Sequence, residues 1–145
     1  MAIHRTLHPR TTWLAGLALG LGLTCTAGAQ TAAPAADPAA EKALQQHFQS
    51  LYTALEGKGS IPDAKHFTED FNQQVNANQL KQVFDQVHQT VGNCRVAGQL
   101  KGPVSFVSSY LLQCDKGFVP MDIAIEDKAP YRMHSVLIRP PYSKL

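Results

Sequence analysis

Residues 76–126 read NANQLKQVFDQVHQTVGNCRVAGQLKGPVSFVSSYLLQCDKGFVPMDIAIE, and the fold turns on the change of rhythm inside them. Up to Val91 the apolar residues Leu80, Val83, Phe84, Val87 and Val91 recur at i, i+3, i+4, i+7 and i+11, the stripe of an amphipathic helix that starts near Asn76 or Asn78. Gly92 stops it. Beyond this glycine the period falls to two and β-branched and aromatic residues become frequent, so the rest of the chain reads as sheet. Strands are expected near residues 93–100, 104–114, 118–126 and 131–139, joined by Lys101-Gly102-Pro103, Asp115-Lys116-Gly117 and Asp127-Lys128-Ala129-Pro130. Connections this short join antiparallel neighbours. In the second strand Val104, Phe106, Ser108, Tyr110, Leu112 and Cys114 share a face, with Ser105, Val107, Ser109, Leu111 and Gln113 opposite. In the third, Met121, Ile123 and Ile125 oppose Asp122, Ala124 and Glu126, as a sheet with one dry face requires.

Upstream of this stretch, Asp37 can cap a helix whose first position is Pro38. Leu44, Phe48, Leu51, Tyr52 and Leu55 then recur at helical spacing, Gly57 and Gly59 end the run, and Gln45, Gln46, Gln49 and Glu56 fall on the wet face. Ser60-Ile61-Pro62-Asp63 predicts the start of a second, shorter helix carrying Phe67 and Phe71 one turn apart. Thr31–Ala36 (TAAPAA) lacks periodicity, so residues 30–37 read as a flexible spacer and 38–145 as a single domain. Three helices followed by an antiparallel meander make an α+β fold, with the N-terminal helices packed on a curved four-stranded antiparallel sheet that curls around the long first helix.

Ahead of the spacer the order of features is that of an export signal. His4, Arg5, His8 and Arg10 precede the apolar run Trp13–Leu23 (WLAGLALGLGL), and Ala27-Gly28-Ala29 supplies a small-residue cleavage site, so residues 1–29 read as a signal peptide cleaved after Ala29. The run falls short of the roughly 20 apolar residues of a transmembrane helix. The competing reading is lipid attachment at Cys25, although Gly22-Leu23-Thr24-Cys25 sets the leucine one place late and a threonine where a small residue is usual. Export to a periplasmic or secreted location removes Arg5 and Arg10 and no acid, which leaves a formally neutral chain without a basic cluster for nucleic acid. It also removes Cys25, leaving Cys94 and Cys114 in an oxidising compartment, where a disulfide between them is expected. Strand phase puts both on the more apolar side, Cys94 together with Val96, Gly98 and Leu100. A turn centred near Gly102 would set residue 110 opposite Cys94, so the pairing needs a longer turn or a bulge. A CxxC-type redox role is disfavoured, because the two are far apart in sequence and neither sits at a helix start.

The stretch from HFQSLYTALEGKG through FTEDFNQQVNANQLKQVFDQVHQTVGNC, with strands that end in LIRPP, resembles the nuclear transport factor 2-like, or cystatin-like, cone fold. Within it the chain is similar to small exported bacterial domains of uncharacterised function that often precede a hydrolase domain. The resemblance covers about residues 40–141 and rests on Gly57, the phenylalanine pair, Gly92 and Pro140. The sequence ends at Leu145 with no hydrolase following, so it is expected to act alone or in trans.

Members of that superfamily place ligands or catalysis in the mouth of the cone, which implies Tyr52, Tyr110, Asp122, Arg132 and His134, with Glu126, as polar cavity candidates. The competing reading leaves Arg132 and His134 on a solvated face and Tyr110 in the core. No catalytic or metal motif is present: the sequence has no G-x-S-x-G, no Gly-rich phosphate loop and no H-E-x-x-H. His47, His66 and His88 fall on three different helices without a second ligand one turn away, and each reads as a surface residue. No cofactor is expected. The leading functional reading is a non-catalytic exported module that binds a small apolar ligand, an envelope component or a partner protein, with a homodimer through the sheet as a further option. The alternatives are an inhibitor or immunity protein acting on an exported enzyme, and a small cone-fold isomerase or hydratase.

Overall fold

Asp37 caps the first helix, α1 (Pro38–Leu55), by accepting the N–H groups of Ala39 and Ala40 at its carboxylate. Gly57, at φ 67°, ends it: the N–H of Gly57 bonds the Ala54 carbonyl and that of Lys58 the Thr53 carbonyl, the paired bonds of a Schellman turn. The computed structural model describes residues 35–144. The signal peptide, the lipidation alternative at Cys25 and the start of the spacer lie outside them.

The second helix begins later than its sequence suggests. Ser60–Asp63 caps nothing, and a 3-10 turn at Ala64–His66 is followed by α2 (Glu69–Gln74), whose first turn is closed by the Thr68 hydroxyl accepting the Phe71 N–H at 3.3 Å. Phe67 is therefore extended and buried, in a parallel bridge to Met133, and still stacks on Phe71 with ring centroids 4.7 Å apart. The third helix, α3 (Ala77–Val91), starts with a capping box in which Asn76 and Gln79 satisfy each other's backbone N–H groups, and Gly92 closes it at φ 77°.

Past Gly92 come β1 (Cys94–Lys101), β2 (Val107–Cys114), β3 (Gly117–Ile125), β4 (Met133–Ile138) and the short β5 (Tyr142–Ser143). They form one antiparallel sheet in the order β1-β2-β3-β4, with β5 pairing the start of β3 beyond the end of β4. The three helices of the described residues lie between Pro38 and Val91, not at the start of the chain. Ser108, Tyr110, Leu112 and Cys114 of β2 and Met121, Ile123 and Ile125 of β3 are all buried, and α1 lays Leu44, Phe48, Leu51 and Leu55 into the same core. At its centre the Phe48 ring lies parallel to that of Tyr110, centroids 3.6 Å apart.

The register of β1 on β2 corrects the phase expected from simple alternation. Cys94 sits directly opposite Cys114, and a bulge between Val96 and Gly98 shifts the rest of the strand. Leu100, expected beside Cys94 on the apolar side, lies opposite Ser109 and is 74% exposed, whereas Gln99 lies opposite Tyr110. A longer turn before Val107 absorbs the remaining offset, and Cys94 and Cys114 are disulfide-bonded.

Glu56 departs further from expectation. Placed by helical phase on the wet face, it is buried instead, and its Oε1 accepts the Cys94 N–H at 2.8 Å. The Tyr52 hydroxyl, one turn earlier on α1, donates to the Cys94 carbonyl at 2.7 Å. Both backbone groups of Cys94 thus turn to α1 and away from Cys114, which leaves the two cysteines as a non-hydrogen-bonded pair, the kind whose side chains approach most closely.

Candidate functional site

Two concave regions flank the sheet. The first is a cleft of about 510 Å³ between the opening turns of α1 and the β1–β2 hairpin. Leu44, Val104 and Val107 supply apolar wall, and the Lys101–Glu41 ion pair, at 2.8 Å, bridges strand and helix at its rim. The polar groups on the sheet side form a single chain. Gln99 Nε2 donates to Ser108 Oγ at 2.9 Å and to the Tyr110 hydroxyl at 3.2 Å, and Ser108 Oγ donates to the Leu100 carbonyl. Ser108 and Tyr110 are buried, and burial raises the Tyr110 pKa above its ordinary value of 10.0 against the opposing effects of Ser108 and Lys101. The hydroxyl is therefore protonated and neutral across the physiological range. The helix side is held to the hairpin by the Asp37 N–H, which donates to Ser105 Oγ at 2.8 Å.

The second region is a groove between α2 and β4. Its wider part, about 770 Å³, is lined by Glu69, Asp70, Glu126, Arg132 and His134 among others, and its narrower part, about 340 Å³, by apolar side chains of α2, α3 and β4. Arg132 is bound in two-point fashion by Glu126, Nη2 to Oε1 at 2.8 Å and Nε to Oε2 at 3.1 Å. That pair holds the Glu126 carboxyl below its usual range.

The five sequence-derived candidates do not converge on one cavity. Tyr110 reaches the cleft only through Gln99, while Tyr52 is spent on the Cys94 carbonyl and packs against Phe48. Asp122 is on the other face of β3, paired with Arg139 at 2.6 Å; burial alone would raise its carboxyl, and bonding by Ser109 and Arg139 outweighs that and lowers it. Arg132 and His134 share the α2–β4 groove. His47, read as a surface residue, is half-buried: its Nε2 lies 2.9 Å from the Tyr131 carbonyl, and its ring stands edge-on to His66 with centroids 5.8 Å apart.

Gln99 is the cleft residue that alternation missed, because the bulge moves it to the inner face. The one available signal was Gly98 inside a strand, a common mark of a bulge. Among the described residues, no three His, Cys, Asp or Glu side chains gather around a position for a metal ion, and no helix is long and apolar enough to cross a membrane. In comparisons with known proteins the chain matches no family model, no curated protein and no solved structure.

Proposed function

We propose that this protein is an exported, extracytoplasmic binding module of nuclear transport factor 2-like or cystatin-like type, with its ligand in the cleft between α1 and the β1–β2 hairpin. The observation that carries the reading is the Gln99 amide bridging Ser108 and Tyr110 beside apolar wall. Small-molecule sites combine apolar lining with a few fixed polar groups. Here those groups are the Gln99 amide and the Ser108 hydroxyl, with the buried Tyr110 hydroxyl behind them holding the amide in place. The Cys94–Cys114 bond supports the extracytoplasmic placement, since such bonds persist in oxidising compartments.

The test is native mass spectrometry of the protein recovered after export of the full chain and equilibrated with envelope extract. Retention of one small molecule is expected, and its loss in Gln45→Trp, which places a bulky ring at an exposed position on the cleft wall. Retention of nothing, or equal retention by the variant, counts against the cleft. The same spectrum reports the leader: the chain is expected to begin at Gln30, and a start at Cys25 with added lipid mass would move the protein onto a membrane surface.

One observation favours the inhibitor or immunity reading. The outer face of the sheet carries exposed Leu100, Leu111 and Leu137, apolar area of the sort that partners cover. Stoichiometric recovery of one exported enzyme in place of a small molecule would select it.

A further inference from the structure

We infer that the free edge of β4 is a docking site for an extended segment of a partner protein, one with alternating apolar side chains and a basic residue at the end that meets Glu69 and Asp70. The inference is independent of the ligand cleft, which lies against β1 and β2. β4 is one of the two edge strands of the β1-β2-β3-β4 order. The Arg139 N–H bonds the Pro120 carbonyl, so by alternation Leu137 and Ser135 face β3, and Val136 and Ile138 turn their N–H and C=O groups outward. Those outward groups have no backbone partner among the described residues.

The chain itself begins the next strand and then abandons it. Thr68 donates its N–H to the Met133 carbonyl, Phe67 bridges Met133 in parallel, and α2 turns away at Glu69. The vacant positions beside Ser135–Ile138 open onto the two cavities, which share Phe71, Val75 and Val136 and so form one groove. Val83 and Leu137, 45% and 50% exposed, both line its apolar part. An added strand uses main-chain bonds for affinity and alternate side chains for specificity. The outward groups supply the bonds, and the Phe71–Val75–Val83 wall receives one row of side chains.

Charge decides the remaining feature of the occupant. At the Ser135 end, Arg132 is neutralised by Glu126, whereas Glu69 and Asp70 are exposed and enter no ion pair among the described residues. A lysine or arginine at that end of the guest meets the Asp70 carboxylate and that of Glu69, which acts on Arg132 only through space and without an ion pair.

The test is selection of random peptides on the exported protein, with amide resonances of Val136 and Ile138 followed by NMR. Peptides with alternating apolar residues and a basic end are expected, and they should protect both amides from exchange. Val136→Pro deletes an outward N–H without touching the β3 ladder and should weaken binding on the order of tenfold. Should that variant lose its far-UV CD signal, Asp70→Lys on the exposed face of α2 serves in its place, weakening binding about fivefold at low ionic strength and little at high salt. Recovery of no peptide, of amphipathic helical peptides, or of peptides that leave both amides exchanging overturns the inference. So does a dimer in sedimentation that protects the same two amides, since the edge would then belong to a second copy.

Discussion

Cys94 is the residue at which covalent, main-chain and side-chain constraints meet. Its sulfur is bonded to Cys114 across the strands, its N–H is taken by Glu56 and its carbonyl by Tyr52. The disulfide spans a separation of 20 residues, for which chain-entropy arguments give about 3 kcal/mol. Cys94→Ser should lower stability by about that amount under oxidising conditions. Equal melting temperatures for the variant and the wild type would show that the bond adds nothing. Glu56→Ala tests the neighbouring constraint: it leaves a buried N–H without an acceptor, a loss of roughly 1–3 kcal/mol. Because both changes act on one residue, their effects should not add, and the double variant should lose less than the sum of the two. Strict additivity in urea denaturation would mean that the helix end and the disulfide hold β1 independently.

At the scale of elements, the helix boundaries were legible wherever a single residue type was physically required. Gly57 and Gly92 adopt positive φ, which other residues avoid; the sequence places the start of the third helix at either Asn76 or Asn78, and the reciprocal Asn76–Gln79 pair settles it at Asn76. The start of the second helix was not, because Ser60-Ile61-Pro62-Asp63 imitates a capping box three residues before Asp63 while the working cap is Thr68. Thr68→Ala should therefore cost about 1 kcal/mol, and Ser60→Ala, exposed and capping nothing, should stay within about 0.5 kcal/mol of wild type. A reversed order of the two in chemical denaturation would return the helix start to Ser60. The strand phases of β2 and β3 were readable because each alternates without interruption. β1 was not, since the bulge after Val96 exchanges its faces, exposing Leu100 and bringing Gln99 to the cleft, and β5 is two residues long and leaves no periodic trace. The candidate site was thus only half legible: Ser108 and Tyr110 fell on the correct face, and the residue that joins them did not.

Across the whole molecule, the two layers are tied at the turn between β3 and β4 by groups whose charge depends on pH. Tyr131, held at φ 58°, donates its hydroxyl to Asp37 Oδ2 at 3.0 Å and offers its carbonyl to His47 Nε2, so one residue fastens the turn to both the cap and the middle of α1. Burial lowers the His47 pKa; the Tyr131 carbonyl pulls it up, the His66 charge pushes it down, and the result lies below the ordinary 6.5. On acidification the unfolded chain then takes up this proton before the folded one. The contribution of neutral His47 is therefore complete above about pH 6.5 and is lost as pH falls through the lower folded value. Asp37 acts in the same direction further down, because the Ala40 N–H and the Tyr131 hydroxyl depress its pKa below 3.8, and its contribution fades only as pH falls below that ordinary value. Two acid-labile steps are expected, one setting in below about pH 6.5 and the other below about pH 3.8. In urea midpoints measured from pH 7.5 down to 3, His47→Gln, which keeps a side-chain N–H for Tyr131, should flatten the upper step and leave the lower one. An upper slope unchanged by His47→Gln would mean that His47 does not carry that step, and the tie between Tyr131 and α1 would then be insensitive to mild acid.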